Sequence, residues 1–187
     1  MIDNKEFDLI LFGATSFVGK ILSEYLVGEH IESNLSWAMA ARSRSKLNAL
    51  REDLGPKAAG IPVIVADSFD EEALYALCGR THVVISTVGP YALYGDLLIK
   101  ICAELGTDYC DLTGEAQWIR RIIAEHETTA QASGARIVNC CGFDSIPSDL
   151  GVKFLQDLAQ EHFGAYCKHV KMRVKGTKGG ASGGTIA

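Results

Sequence analysis

Leu9-Ile10-Leu11-Phe12-Gly13-Ala14-Thr15-Ser16-Phe17-Val18-Gly19 is the stretch that decides the fold. Leu9 to Phe12 is an unbroken apolar run that stops at Gly13, the pattern of a short strand covered on both faces. From Phe17 the period changes: Val18, Ile21, Leu22, Tyr25 and Leu26 recur at helical spacing over Phe17 to Val27. Between strand and helix, small residues stand at every third position: Gly13, Ser16 and Gly19. A buried strand, a tight turn of small residues and an amphipathic helix form the opening of a strand–helix–strand unit.

Outward from this stretch the alternation continues. Strands are expected over Leu35 to Ala41, Pro62 to Ala66, Val83 to Thr87, Asp108 to Leu112 and Arg136 to Cys141. Helices are expected over Lys46 to Leu54, Asp70 to Cys78, Leu93 to Leu105 and Glu115 to Ser133, with Gly106 closing the third of these. Repeated strand–helix order implies a parallel sheet with right-handed crossovers. The expectation is a doubly wound α/β domain of the Rossmann type, with residues 1–147 as its unit. After Pro147 the pattern changes. Leu150 to Phe163 reads as a linking helix. His169 to Lys175 alternates, with Val170, Met172 and Val174 set against Lys171, Arg173 and Lys175, as in a half-exposed antiparallel strand. A Gly-rich segment, Gly179 to Gly184, follows. One such strand cannot bury its face alone. Residues 148–187 are therefore expected to begin a second α/β domain without completing it, and the unpaired edge favours a homodimer.

Composition narrows the function classes. The chain has 187 residues, 48% apolar and 22% charged, which excludes disorder and low complexity. A net charge of -5 argues against nucleic acid and anionic membrane as partners. No apolar run approaches the roughly 18 to 20 residues that span a bilayer. The opening Met1 to Glu6 carries both charge signs and has neither a signal-peptide nor a transit-peptide pattern. Six cysteines, at 78, 102, 110, 140, 141 and 167, form no C-x-x-C and no zinc-ligand spacing. Free thiols, a cytoplasmic location and no metal are expected.

The chemistry is expected at the carboxyl ends of the strands. In Gly13, Ala14, Thr15, Ser16, Phe17, Val18 and Gly19, the first glycine allows the turn and the last lets helix and strand pack closely. The middle position lets backbone approach a pyrophosphate, which the free N–H groups of the helix start then face. Ser16 stands where such motifs more often carry glycine: it costs approach distance, so weaker or slightly shifted binding is expected, while its hydroxyl could donate to a phosphate. The second strand ends in Arg42 and Ser43 where an NAD site would carry a carboxylate, so NADP(H) is expected before NAD(H). Asp67 is placed to touch the adenine edge or to cap a helix. Thr87, Val88, Gly89 and Pro90 would carry backbone along the ribose and nicotinamide, with the Tyr91 and Tyr94 hydroxyls nearby. Glu115 and Asp149 read as helix caps, while Asp144 and Ser145 lie at the domain exit, to bind substrate or to cap. Tyr91, Tyr94 and Asp144 are the candidate proton donors by position. A Tyr-x-x-x-Lys pair, a phosphate loop of the G-x-x-x-x-G-K-[ST] type and H-E-x-x-H are all missing.

Five blocks in order resemble the saccharopine dehydrogenase-like oxidoreductases, a group that includes trans-acting enoyl reductases of lipid synthesis. They are Gly13 to Gly19, Ala41-Arg42-Ser43, Thr87 to Tyr91, Tyr109 to Glu115 and Gly142 to Asp149. The likeness extends to Gly180 to Thr185. It implies an NAD(P)-binding fold and a reductase acting on a small-molecule or lipid-like carbonyl, imine or enoyl substrate. It also implies a longer protein with a second α/β domain. Because the strand from His169 to Lys175 has no partner after it, these residues are expected to bind cofactor with little turnover of their own. A non-catalytic NADP(H) sensor or scaffold is the competing reading.

Overall fold

The computed structural model describes residues 5–29 and 34–176; the expected Gly-rich segment from Gly179 and the Gly180 to Thr185 block lie outside the described residues. In chain order the elements are β1 (Phe7–Phe12), α1 (Phe17–Glu29), β2 (Trp37–Ala41), α2 (Arg44–Asp53), β3 (Val63–Val65) and α3 (Glu71–Cys78). Then come β4 (Thr81–Ser86), α4 (Tyr91–Tyr94), α5 (Asp96–Leu105), β5 (Asp108–Asp111), α6 (Ala116–Ser133), β6 (Ile137–Val138) and α7 (Ile146–Phe163). The six strands form one parallel sheet in the order β3-β2-β1-β4-β5-β6, the doubly wound Rossmann arrangement. The chain runs outward from β1 to β3, then returns to lay β4 on the other side of β1. The winding direction therefore reverses between β1 and β4.

Period-2 alternation along the central strands sends side chains to two cores, one per sheet face. Ile10, Phe12, Ala38 and Ala40 join Leu74, Leu98, Ile101, Tyr109 and Trp118 on one face. Leu11, Met39 and Ala41 join Leu26, Leu47 and Leu50 on the other. Such double coverage explains why the strands read as continuous apolar runs.

Four expectations change. The helix expected from Leu93 to Leu105 is two helices, α4 and α5, parted at Gly95, where a Cβ would lie 2.6 Å from Cζ2 of Trp118. The Trp118 indole N–H then donates to Asp96 Oδ1 at 2.6 Å, fixing the corner. The helix expected from Leu150 starts at Ile146, because Pro147 suits a first helical turn. It therefore runs through the boundary expected at Pro147. The strand expected over His169 to Lys175 is not formed: the segment described through Gly176 is irregular and pairs with no ladder. The strand edge from which dimer pairing was expected is thus not present there.

The fourth change concerns β6, expected to reach Cys141 but ending at Val138. The carboxylate of Asp111, 2% exposed, competes for the backbone beyond. Its Oδ1 accepts from the Thr113 and Cys140 N–H groups at 3.0 and 3.1 Å. Its Oδ2 accepts from the Asn139 amide at 2.7 Å and the Tyr109 hydroxyl at 2.9 Å, and its backbone carbonyl accepts from Cys141 N–H at 2.7 Å. Cys140 consequently takes a φ of 62°, a left-handed conformation uncommon outside glycine.

Leaving a buried donor without its acceptor costs about 1–3 kcal/mol. Asp111→Ala strands several donors at once, so it should lower the unfolding free energy by at least about 3 kcal/mol in urea titrations. Amides of residues 138–142 should lose hydrogen-exchange protection before those of β1 and β4. A loss below about 1 kcal/mol, the size of an ordinary surface change, would contradict the assignment.

Candidate functional site

A cleft of about 370 Å³ opens over the carboxyl ends of β1 to β4, at the reversal in winding. Phe12, Gly13, Thr15 and Ser16 line it from the first turn, Ala41, Arg42, Ser43 and Lys46 from the second. Ala66 to Phe69 close it from the third, and Thr87, Val88, Gly89 and Tyr94 from the fourth. A larger cavity, about 500 Å³, lies between α6 and the edge strand β6. Its lining is mainly Ile and Ala, and it holds none of the candidate residues.

Two glycines make the cleft. Gly13 adopts φ 91°, and a Cβ there would lie 2.6 Å from Val88 Cγ2 and 2.7 Å from Thr87 Oγ1. At Gly19 a Cβ would lie 2.2 Å from the Gly13 carbonyl oxygen and 2.8 Å from Ala14 backbone. The first turn of α1 thus rests on the turn that follows β1, and Ala14 is wholly buried beneath it. Among the described residues the N–H groups of Thr15, Phe17 and Val18 meet no acceptor. They open a 13-residue helix, so the positive end of its dipole and these donors suit a phosphate group.

Ser16 departs from its expected role. Its Oγ accepts from Gly19 N–H at 2.9 Å, capping α1, and lies 2.9 Å from Thr87 Oγ1. Thr87 has one hydroxyl proton and gives it to the Gly13 carbonyl at 2.9 Å. With that proton on the Gly13 carbonyl, Ser16 is the donor to Thr87 in this arrangement. The serine locks the start of α1 to the end of β4.

On the second turn, Ser43 caps α2, its Oγ accepting from Lys46 N–H at 3.4 Å. Arg42 is exposed and makes no ion pair among the described residues. Lys46, not singled out from sequence, lines the same cleft as a second cation. The signal was present: Lys46 lies in the first turn of a helix, three residues after its cap. Asp67 is not the cap of α3; Asp70 is, accepting from Ala73 N–H. Asp67 instead accepts from Phe69 N–H at 3.0 Å and borders the cleft. Val88 and Gly89 line it too, while Pro90, after a cis peptide, stands at the start of α4.

The three candidate proton donors are not brought together. Tyr91 is buried; its hydroxyl donates to the Ser86 carbonyl at 3.0 Å and accepts from Leu112 N–H at 3.4 Å. Burial pushes this phenol well above its ordinary range. Tyr91 is therefore a structural tie between β4 and β5, closed to substrate. Tyr94 borders the cleft, its ring 5.6 Å from that of Phe69. Asp144 is exposed beyond β6 and outside the cleft lining. Glu115 caps a neighbouring helix rather than its own: its carboxylate accepts from Tyr91 and Ala92 N–H at 2.7 and 2.8 Å, at the start of α4. Asp149 lies in the first turn of α7, whose cap position is Ser145.

Close by, burial raises the Cys110 thiol to about 11 and also raises Cys141. Among the described residues no group of three or more His, Cys, Asp or Glu is placed to hold a metal.

Comparison with known proteins agrees with this geometry. The family model of the saccharopine dehydrogenase NADP binding domain matches residues 9–138. The chain is 43% identical over 186 residues to a trans-acting enoyl reductase of Mycobacterium leprae, covering 99% of this chain and 44% of that protein. It is 48% identical over 148 residues to one of Mycobacterium tuberculosis, covering 79% of this chain and 35% of the relative. The chain thus spans less than half the length of these relatives. Saccharopine dehydrogenase (L-Glu forming) from Saccharomyces cerevisiae shares the fold, with a TM-score of 0.66 at 21% identity over 82% of this chain and 32% of that one.

Two outcomes follow from the site. Ser16→Ala should cost about 1 kcal/mol through the lost cap. Thr87→Val should couple to it by at least about 0.5 kcal/mol in a double-mutant cycle; strict additivity would mean the two hydroxyls act separately. The Cys110 thiol keeps its proton to about pH 11 when folded, against an ordinary 9.0. The folded state then holds more protons than the unfolded one across that interval, so stability should be level below pH 9 and fall towards pH 11. Urea midpoints at successive pH values check this, and Cys110→Ala should flatten part of the decline.

Proposed function

This chain belongs to the saccharopine dehydrogenase NADP binding domain family, and from that premise we propose that it holds NADP(H) for hydride transfer in an oxidoreductase. The observation that carries the reading is the cleft over the β1–β4 reversal, lined by Gly13, Thr15 and Ser16 beside the start of α1 and by two cations, Arg42 and Lys46, from the second turn. The cradle fits a dinucleotide. A Cβ at Gly13 would strike Val88 and Thr87, and one at Gly19 would push the start of α1 off the Gly13 carbonyl, so the two glycines hold the N–H groups of Thr15, Phe17 and Val18 where a pyrophosphate would meet them. Arg42, with its fork of donors, and Lys46 would hold the 2′-phosphate, and the second turn carries no carboxylate to repel it. Asp67 would border the adenine edge, with Thr87, Val88 and Gly89 supplying the backbone side of the ribose.

When bound, NADP(H) supplies or accepts the hydride. The chain's own part is to bind, orient and exclude. Thr87, tied to Gly13 and Ser16, fixes the spacing of the first and fourth turns; the Tyr91 and Glu115 contacts fix the fourth against the fifth. We assign the substrate to the carbonyl, imine or enoyl class, small or lipid-like. The mycobacterial relatives, trans-acting enoyl reductases by name, favour the enoyl. Asp144, whose carboxylate is unengaged among the described residues, is the candidate donor carried forward; Asp144→Asn in the full-length protein should lower turnover more than cofactor affinity. We take residues 1–147 as the cofactor unit and 148–187 as the link to the remainder of a longer protein. Among the described residues no helix is long and apolar enough to cross a membrane, and the six cysteines are free; a cytoplasmic location is our reading. The sensor or scaffold alternative draws no support from the named relatives.

Calorimetric titration with NADPH and NADH tests the proposal. A charge-assisted hydrogen bond is worth about 1.5–3 kcal/mol, so NADPH should bind on the order of 10- to 150-fold more tightly. Arg42→Ala should remove most of that difference, and Lys46→Ala a smaller part that disappears at high salt. Equal affinities for the two dinucleotides would refute it.

A further inference from the structure

Isolated exposed apolar residues are common and need no ligand to explain them. Phe69 differs in three respects. It is 69% exposed yet lines a concave cleft. Its ring is paired with that of Tyr94, the centroids 5.6 Å apart and the planes inclined by 58°. Its backbone is held by Asp67, whose Oδ1 accepts from Phe69 N–H at 3.0 Å, leaving Oδ2 without a partner among the described residues. An aromatic ring is thus set in place beside a carboxylate, with a face turned to water, in a cleft that Arg42, Ser43 and Lys46 also line.

Resting on the NADP(H) reading, we infer that Phe69 and Tyr94 form one aromatic wall on which the adenine base of the dinucleotide stacks. Two rings 5.6 Å apart cannot admit a base between them, since stacking on both faces needs about 7 Å. They act instead as a single wall: Tyr94 backs Phe69, and the base lies on the free face of Phe69. Covalent chemistry places it there. The 2′-phosphate and the base are borne on adjacent carbons of one ribose, so a phosphate at Arg42 puts the base within one ring of it. Phe69 follows β3, which neighbours β2, the strand that Arg42 follows. Asp67 then meets the edge of the stacked base, where a carboxylate accepts from an exocyclic amine. Tyr94 contributes its ring rather than its hydroxyl.

The test is titration of the chain with 2′,5′-ADP and with NADPH. Removing one base–aromatic stack should weaken both by the same factor, on the order of 5- to 150-fold, in Phe69→Ala. Phe69→Trp should retain affinity, and Tyr94→Phe should leave it unchanged where Tyr94→Ala lowers it. Phe69 is exposed, so Phe69→Ala should melt with the wild type, and its loss of affinity is then not a loss of fold. Unchanged 2′,5′-ADP binding in Phe69→Ala, or a loss seen with NADPH alone, would overturn the inference while leaving the NADP(H) reading intact. Failure of the wild-type chain to bind either probe would overturn both.

Discussion

The contact between Gly19 and the carbonyl of Gly13 is the constraint on which the rest depends. It brings the first turn of α1 so near β1 that no side chain fits between them. That proximity aims the unpaired N–H groups of the helix start at the cleft, where they and the helix dipole favour an anion. It also lowers the helix start to the level of β4, so that Ser16 can reach Thr87 across 71 residues of sequence. The hydroxyl chain from Gly19 N–H through Ser16 and Thr87 to the Gly13 carbonyl then closes on itself. Helix, first strand and fourth strand are pinned at one point, the point where the winding reverses.

Beyond β4 the same problem, of holding loops at strand ends without filling the space above them, is solved with buried and half-buried polar groups. Tyr91, Glu115 and Asp111 each engage backbone of a different turn, so the ends of β4, β5 and β6 are tied in series. The buried carboxylate of Asp111 is tolerated because backbone N–H groups satisfy it, at once offsetting the cost of burial and fixing geometry. The consequence is a rim that is rigid in its lower layer and exposed above, where Asp144 and the start of α7 stand. Along α7, Leu150 and Phe154 are exposed while Ala159 is buried.

Much of the fold was legible because its signals are local. The strand run Leu9 to Phe12, the helical spacing from Phe17 and the left-handed Gly106 after α5 depend on residues within one or two turns of each other. The cleft was legible for the same reason: a turn glycine after the first strand and a basic residue after the second mark positions that the winding then brings together. The elements misplaced in sequence are those where a distant group intervened. Trp118 splits the helix at Gly95, and Asp111 draws residues 139–141 out of the β6 ladder.

The sequence by itself determined the parallel α/β architecture, the position of the cleft and the cationic character of one end, because periodicity and turn chemistry are properties of short segments. Only the tertiary structure decided which hydroxyls and carboxylates remain free. Ser16, Tyr91 and Glu115 all stood where a ligand-binding role was open or a local cap was expected. Each is instead engaged by a partner 71, 21 or 24 residues away. A hydroxyl has one proton and a carboxylate a fixed set of lone pairs, so whichever group the fold brings nearest claims them. That competition is resolved by distance in space, which spacing along the chain does not encode.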